Sequence, residues 1–174
     1  MNNRIKLILG WVVLSIGNTE VFPVTDIMVN GTLDSRINIV FMGDGYILNN
    51  MDNFINIEHA KRSGTSRLLY KGILDGQSRA VFGVTVLVHK DAQHTDAQQT
   101  DKNLLLSEDA EVDSKPSLFI YADDVKCGHG ATAGHIDAET LFYMRSRGLD
   151  LETAGRILIQ AYAGEIIDKV SSDG

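Results

Sequence analysis

Apolar side chains alternate at Ile37, Ile39 and Phe41 and the pattern breaks at Asp44-Gly45, as a strand running into a turn does. Further apolar runs recur at Val81–Val88, Leu104–Leu106 and Leu118–Ala122, with stretches rich in Asp, Gln, Thr and Ser between them. Their spacing of about fifteen to twenty residues matches successive rungs of a parallel β-helix, each burying its apolar face against the next. Three rungs alone make a marginal solenoid, because an end rung lacks one neighbour; residues 1 to 56 are available to cover that end. After Gly134 the period lengthens from two to nearly four. Asp137 is placed to cap a short helix that carries Leu141, Phe142 and Met144 and stops at Gly148. Asp150 is placed to cap a second, with Leu151, Ala154, Ile157, Leu158 and Ala161 along one face and Glu152 one turn before Arg156. Gly155 and Gly164 weaken that helix by about 1 kcal/mol each relative to alanine. The expected class is mainly β with C-terminal α.

The N-terminus opens with Arg4 and Lys6 and continues as an apolar run from Leu7 to Ile16, interrupted at Gly10 and Ser15. A basic start and a short apolar core have the form of a secretory signal peptide over residues 1–17, with Ser15 and Gly17 small enough for a cleavage site. A buried first strand or helix fits the same residues. The run is too short to span a bilayer, which takes roughly 20 residues.

The 174 residues suffice for one ordinary domain, or for a small domain plus a piece of another. A hydrophobic fraction of 44% and a charged fraction of 22% are those of a folded soluble chain. A net charge of -7 with no basic cluster excludes a nucleic-acid-binding surface, which must neutralise phosphates. The single cysteine excludes an internal disulfide. It also means that the chain by itself cannot hold a metal cluster that draws on several thiolates.

That cysteine stands two residues before a histidine. In an extended segment Cys127 and His129 share one face, with Lys126 and Gly128 on the other. A soft thiolate and an imidazole so placed can meet one metal centre. The same residues also read as a small buried hydrophobe and a hydrogen-bonded turn histidine. Gly128, Gly130 and Gly134 permit the tight backbone that either reading needs. His94 with Asp96 and Asp101 offers ligands for a cation, or forms a solvated polar turn. Asp123 and Asp124, being adjacent, face opposite ways and suit hydrogen bonding at the edge of a rung better than paired acid–base chemistry.

The segment from Lys115 to Leu149 resembles the C-terminal part of the SufB/SufD family of iron–sulfur cluster assembly proteins. Upstream blocks keep the family order: Thr65-Ser66, Tyr70-Lys71-Gly72, Asp91-Ala92-Gln93-x-Thr95-Asp96-Ala97-x-Gln99, Asn103 to Ser107, and Ala110-x-Val112-x-Ser114-Lys115-Pro116. The resemblance begins near His59 and reaches residue 174, where family members continue as helix; their earlier coils are missing. It implies a partial right-handed parallel β-helix followed by two or more helices. It also implies a non-catalytic, cytoplasmic scaffold subunit that acts with a SufB-like subunit and a SufC-like ATPase, without stable membrane association. The iron–sulfur cluster would be transient and shared with the partner. Carried over residue by residue, Cys127 and His129 match the pair at the SufB–SufD interface and would be the metal ligands. The helices carrying Leu141, Phe142 and Leu158 match the ATPase-binding end. His129-Gly130-Ala131-Thr132 is closer to SufD than to SufB, which usually has glutamate where Gly130 stands. Phe82-Gly83 lacks the residue usually found between them, which implies a shifted strand register.

Residues 36–54, through Arg36 to Tyr46 and Met51 to Phe54, resemble the start of the IgA-type metallopeptidase family. Such a peptidase needs a His-Glu-x-x-His helix to bind zinc and activate water. His59, His89, His94, His129 and His135 include no pair at that spacing, so peptidase activity is not expected, and Gly43-Asp44-Gly45 reads as a turn. The expected division is a signal-like segment at 1–17, a β-rich fragment at 18–58 whose origin the pattern leaves open, β-helix rungs at 59–136 and a helical segment at 137–174. One half points to export and the other to the cytoplasm, so the seam near residues 56–61 reads as an unnatural junction, chimeric or misjoined, with a genuine fusion to a new N-terminus as the alternative. The rival readings are a secreted metallopeptidase-related fragment without its zinc site and a nonfunctional β-solenoid fragment that binds no metal.

Overall fold

The computed structural model describes residues 25–29, 34–43 and 50–171, with side-chain surroundings for 54–166. The signal-like segment and the Asp44-Gly45 turn lie outside the described residues. Eight strands follow one another: β1 (Thr25–Val29), β2 (Asp34–Gly43), β3 (Asn50–His59), β4 (Thr65–Leu74), β5 (Arg79–Val88), β6 (Asp96–Leu105), β7 (Glu111–Ile120) and β8 (Lys126–His135). Each pairs in parallel with the strand two places on, so the chain alternates between two sheets, ordered β1-β3-β5-β7 and β2-β4-β6-β8.

This pairing corrects the rung spacing read from the sequence. Paired strands lie about 30 residues apart, as Asp34 beside Thr65 and Asp96 beside Lys126 show. The shorter interval is half a repeat, and consecutive apolar runs belong to opposite sheets instead of stacking on each other. The polar stretch from Asp96 to Asn103, taken as a spacer, is most of β6.

Period-two alternation builds the core. On β5 the side chains of Ala80, Phe82, Val84, Val86 and Val88 point toward the opposite sheet and are buried. Phe82, Val84, Val86 and Val88 meet Ile55 and Ile57 of β3 and Leu68 and Tyr70 of β4, while Ala80 packs with Leu74 and Ala110. The Tyr70 and Phe82 rings stack across the gap with centroids 3.7 Å apart. Each fully buried large side chain of this kind stabilises the fold by about 1.5–3 kcal/mol. Strand β5 pairs without interruption from Arg79 to Val88 with both β3 and β7. A Cβ on Gly83 would lie 2.5 Å from the ring of Phe54 on the neighbouring strand. The seam expected at residues 56–61 falls at the end of β3 and in the turn before β4.

Two helices follow, as the change of period predicts. The first, α1 (Ala138–Ser146), is capped by Asp137, whose carboxylate accepts from Thr140 N at 2.8 Å. Those bonds from the Thr140 hydroxyl and amide hold the Asp137 carboxyl below its usual range. Gly148, at φ 93, supplies the left-handed residue beyond the helix end. The second, α2 (Leu151–Ser171), is capped by Asp150, which accepts from Thr153 N at 2.8 Å, and Arg156 bonds Glu152 at 3.0 Å.

The buried face of α2 is rotated from the expected stripe. Ala154 of that stripe is buried and Leu158 half-buried, but Leu151, Ile157 and Ala161 are exposed, and Ala163 and Ile166, flanked by Ile159 and Tyr162, pack on Leu69, Ile73, Leu104 and Leu106. These strand residues point away from the β5 core, so α2 covers the outer face of the β2-β4-β6-β8 sheet. Buried Lys71 fastens it there: its Nζ donates to the Tyr162 carbonyl at 2.6 Å, pairs with Glu165 and lies 4.4 Å from the Tyr162 ring centroid.

Candidate functional site

Strand β8 pairs with β6 on one side, and no described strand lies on its other side. Ala97 is opposite Cys127, Gln99 opposite His129, Asp101 opposite Ala131 and Asn103 opposite Ala133. On β6 these four positions face the other sheet and are buried. Cys127 and His129 therefore share the inner face of an uncovered edge strand, with Lys126 and Gly128 turned outward.

The two donors differ in environment. Cys127 is half-buried and packs against the core beside Leu118 and Val125. Burial pushes its thiol pKa up, partly offset by the Ala97 backbone, so the ligating thiolate is disfavoured until a positive centre approaches. The His129 ring is exposed and makes no hydrogen bond with a described residue. Among the described residues no three His, Cys, Asp or Glu side chains come close enough to hold a metal ion. A thiol and an imidazole on one face could supply two donors to an iron–sulfur cluster, which needs more donors than these two.

The other candidates separate. His94, at φ 63, sits in a turn where Arg62 Nη2 donates to its Nε2 at 3.1 Å and its Nδ1 lies 2.7 Å from Asp124. Asp96 bonds Arg67 at 2.7 Å, which lowers its carboxyl pKa. Asp101 points between the sheets, so the three do not converge on a cation. The Asp124 amide also donates to Gln93 Oε1, and Asp123 and Asp124 lie in the bend between β7 and β8, not in a strand.

Pattern reading missed a polar row inside the molecule. Gln99, Asp101 and Asn103 occupy successive inner positions of β6 and are each at most 6% exposed. Asn103 Nδ2 donates to Asp101 Oδ1 at 2.8 Å, and the Ser114 hydroxyl donates to Asp101 Oδ2. Burial, partly offset by Asn103, raises the Asp101 carboxyl to about 6. Both amide atoms of Gln99 and Oδ1 of Asn103 lack a hydrogen-bond partner. The available signal was polar residues at a strict spacing of two, immediately upstream of an apolar run.

On the helices, Phe142 is 73% exposed, Leu141 and Leu158 are half-buried, and α1 buries no residue. Tyr143, Leu151 and Ile157 extend this apolar surface. Phe119, Ile120 and Tyr121 form a second exposed group at the end of β7. Among the described residues no helix is long and apolar enough to cross a membrane.

The family model described as "SUF system FeS cluster assembly, SufBD core domain" matches residues 9–162. The iron-sulfur cluster assembly protein SufD of Escherichia coli (strain K12) is 48% identical over 118 residues, which cover 68% of this chain and 28% of that protein. Protein ABCI7, chloroplastic, of Arabidopsis thaliana is 46% identical over 116 residues, covering 66% of this chain and 24% of its own length. The iron-sulfur cluster assembly protein SufD of Bacillus subtilis (strain 168) is 27% identical over 175 residues, covering 99% of this chain and 38% of that protein. The chain thus spans well under half the length of these relatives.

Proposed function

The chain belongs to the SufBD core-domain family of the SUF iron–sulfur cluster assembly system, and we propose on that footing that it works as a SufD-like scaffold subunit and not as an enzyme. In this reading residues 59–136 are coils of a right-handed parallel β-helix, with β1 to β3 adding to the same two sheets upstream, and residues 137–174 form a docking segment. The carrying observation is that Cys127 and His129 share one inner face at the uncovered edge of the sheet. A SufB-like subunit meets that edge and brings further thiolates or carboxylates to the same spot. The cluster is transient cargo held between the two chains. Neutral His129 donates through a ring nitrogen, and Cys127 gives up its proton as iron approaches and offsets the cost of burying a thiolate.

A SufC-like ATPase docks on the helices, where Phe142 is exposed and Leu141 and Leu158 are partly so. The complex resides in the cytoplasm, without nucleic acid or stable membrane association. The metallopeptidase-fragment reading is not favoured by the family match. The junction near residues 56–61 remains a separate proposal, tested by resequencing the genomic template across codons 50–65.

The decisive experiment is anaerobic reconstitution with the SufB-like partner and the ATPase. Cys127→Ser and His129→Ala should each lower cluster absorbance, while Asp123→Asn and His94→Ala leave it intact. Equal yield from wild type and the Cys127/His129 double variant, with the complex still assembled, would make the pair ordinary structural residues. Leu158→Asp should reduce co-purification with the ATPase; unchanged binding by a chain with an intact circular dichroism spectrum counts against that docking site.

A further inference from the structure

Gln99 is 5% exposed, and neither Oε1 nor Nε2 of its carboxamide has a hydrogen-bond partner. A buried amide left in that state costs about 1–3 kcal/mol, so folded chains seldom keep one. Few neighbours can satisfy it. Its register partner on one side is Leu68, which has no polar side-chain atom. Its inner-face neighbours along β6 are Ala97 and Asp101, and Asp101 already accepts from Asn103 and Ser114. On the other side its register partner is His129, whose ring is exposed and makes no hydrogen bond with a described residue. Paired strands lie about 4.8 Å apart, so a glutamine amide and an imidazole stacked on one face are within reach of each other.

We propose that Gln99 is a positioning residue for His129: its Oε1 accepts the N–H of one ring nitrogen when the imidazole turns inward, leaving the other nitrogen bare and facing outward. A bare nitrogen is the one that ligates a metal, and an acceptor on the far side of the ring fixes both tautomer and orientation. This inference rests on the reading of His129 as a ligand, but its test does not need the cluster.

The full chain, labelled with nitrogen-15 at histidine, is examined by NMR at a pH where imidazole is neutral. The His129 signals are identified by their loss in His129→Gln. In wild type the two His129 ring nitrogens should show a single dominant tautomer. Gln99→Glu, which keeps an acceptor at similar reach, should preserve it. Gln99→Met, similar in length but without an acceptor, should shift the ring toward the mixture of a free histidine, with the other four histidines unmoved as a control for the fold. Identical His129 shifts in wild type and Gln99→Met would overturn the proposal and assign the amide to a buried water. A wild-type His129 already averaging between tautomers would overturn it without any variant. If the shifts behave as expected while His129→Ala leaves cluster yield unchanged, the hydrogen bond stands and the ligand reading falls.

Discussion

Asp101 carries its carboxyl group between the two sheets at 6% exposure, and burial lifts its pKa from 3.8 to about 6 despite the hydrogen bond from Asn103. A difference of that size corresponds to about 3 kcal/mol between the protonated and charged forms, at about 1.4 kcal/mol for each tenfold step. The folded chain holds this proton more tightly than the unfolded one. Stability contributed by the proton is therefore complete below about pH 4 and is lost as pH rises through about 6. Asp101→Asn keeps the shape and both contacts: its Oδ1 accepts from Asn103, and its Nδ2 donates to the Ser114 oxygen, whose hydroxyl reverses its role. The variant lacks the buried charge.

Urea unfolding of both proteins, followed by circular dichroism across a pH series, reads the effect. The variant should be more stable by as much as about 3 kcal/mol near pH 7.5, and the gap should shrink toward zero near pH 4. Buried His59 also titrates abnormally, its pKa lowered by desolvation, so it costs stability as pH falls. It is common to both proteins and cancels in the difference. A difference that stays flat from pH 4 to 7.5 refutes the reasoning, because a constant offset reports packing and only the slope reports the carboxylate.

Lys71→Met removes the bond to the Tyr162 carbonyl, the Glu165 pair and the contact with the Tyr162 ring, and should cost about 1–3 kcal/mol. Amide hydrogen exchange should speed up in α2 and not in β5; unchanged exchange in α2 would show that Lys71 does not fasten it. Gly83→Ala drives a Cβ into the Phe54 ring, whose Cδ1 and Cε1 would lie at 2.5 and 2.7 Å, and should cost about 1–2 kcal/mol. Phe54→Ala in the same chain should cancel most of that cost in a double-mutant cycle, and strict additivity would rule out the contact.

What could be read from the sequence divides along physical lines. Helix caps were legible because Asp137 and Asp150 act on backbone amides three residues away. The face of α2 that is buried was not, because it depends on which side of a sheet the helix meets, and Leu69, Ile73 and Leu104 set that from far upstream. Strand β5 was legible because its inner positions are apolar. Most of β6 was hidden because its inner positions are Gln99, Asp101 and Asn103, which hydrophobicity alone reads as solvated. The half-repeat was misread because spacing along the chain does not say which sheet a run joins: Val81–Val88 and Leu118–Ile120 belong to one sheet, and Leu104 and Leu105 between them to the other.

Parity explains which candidate residues meet. Cys127 and His129 are two apart and share a face, whereas Asp96 and Asp101 are five apart and must diverge, one to Arg67 outside and one to Asn103 and Ser114 inside. Parity fixes the face but not the exposure. Gln99 and His129 occupy paired inner positions on adjacent strands, yet one is buried and the other open, because β6 lies between β4 and β8 while β8 has a described neighbour on one side alone. Sheet order, a property of the whole chain, makes one inner face into core and the next into a surface that can receive a partner.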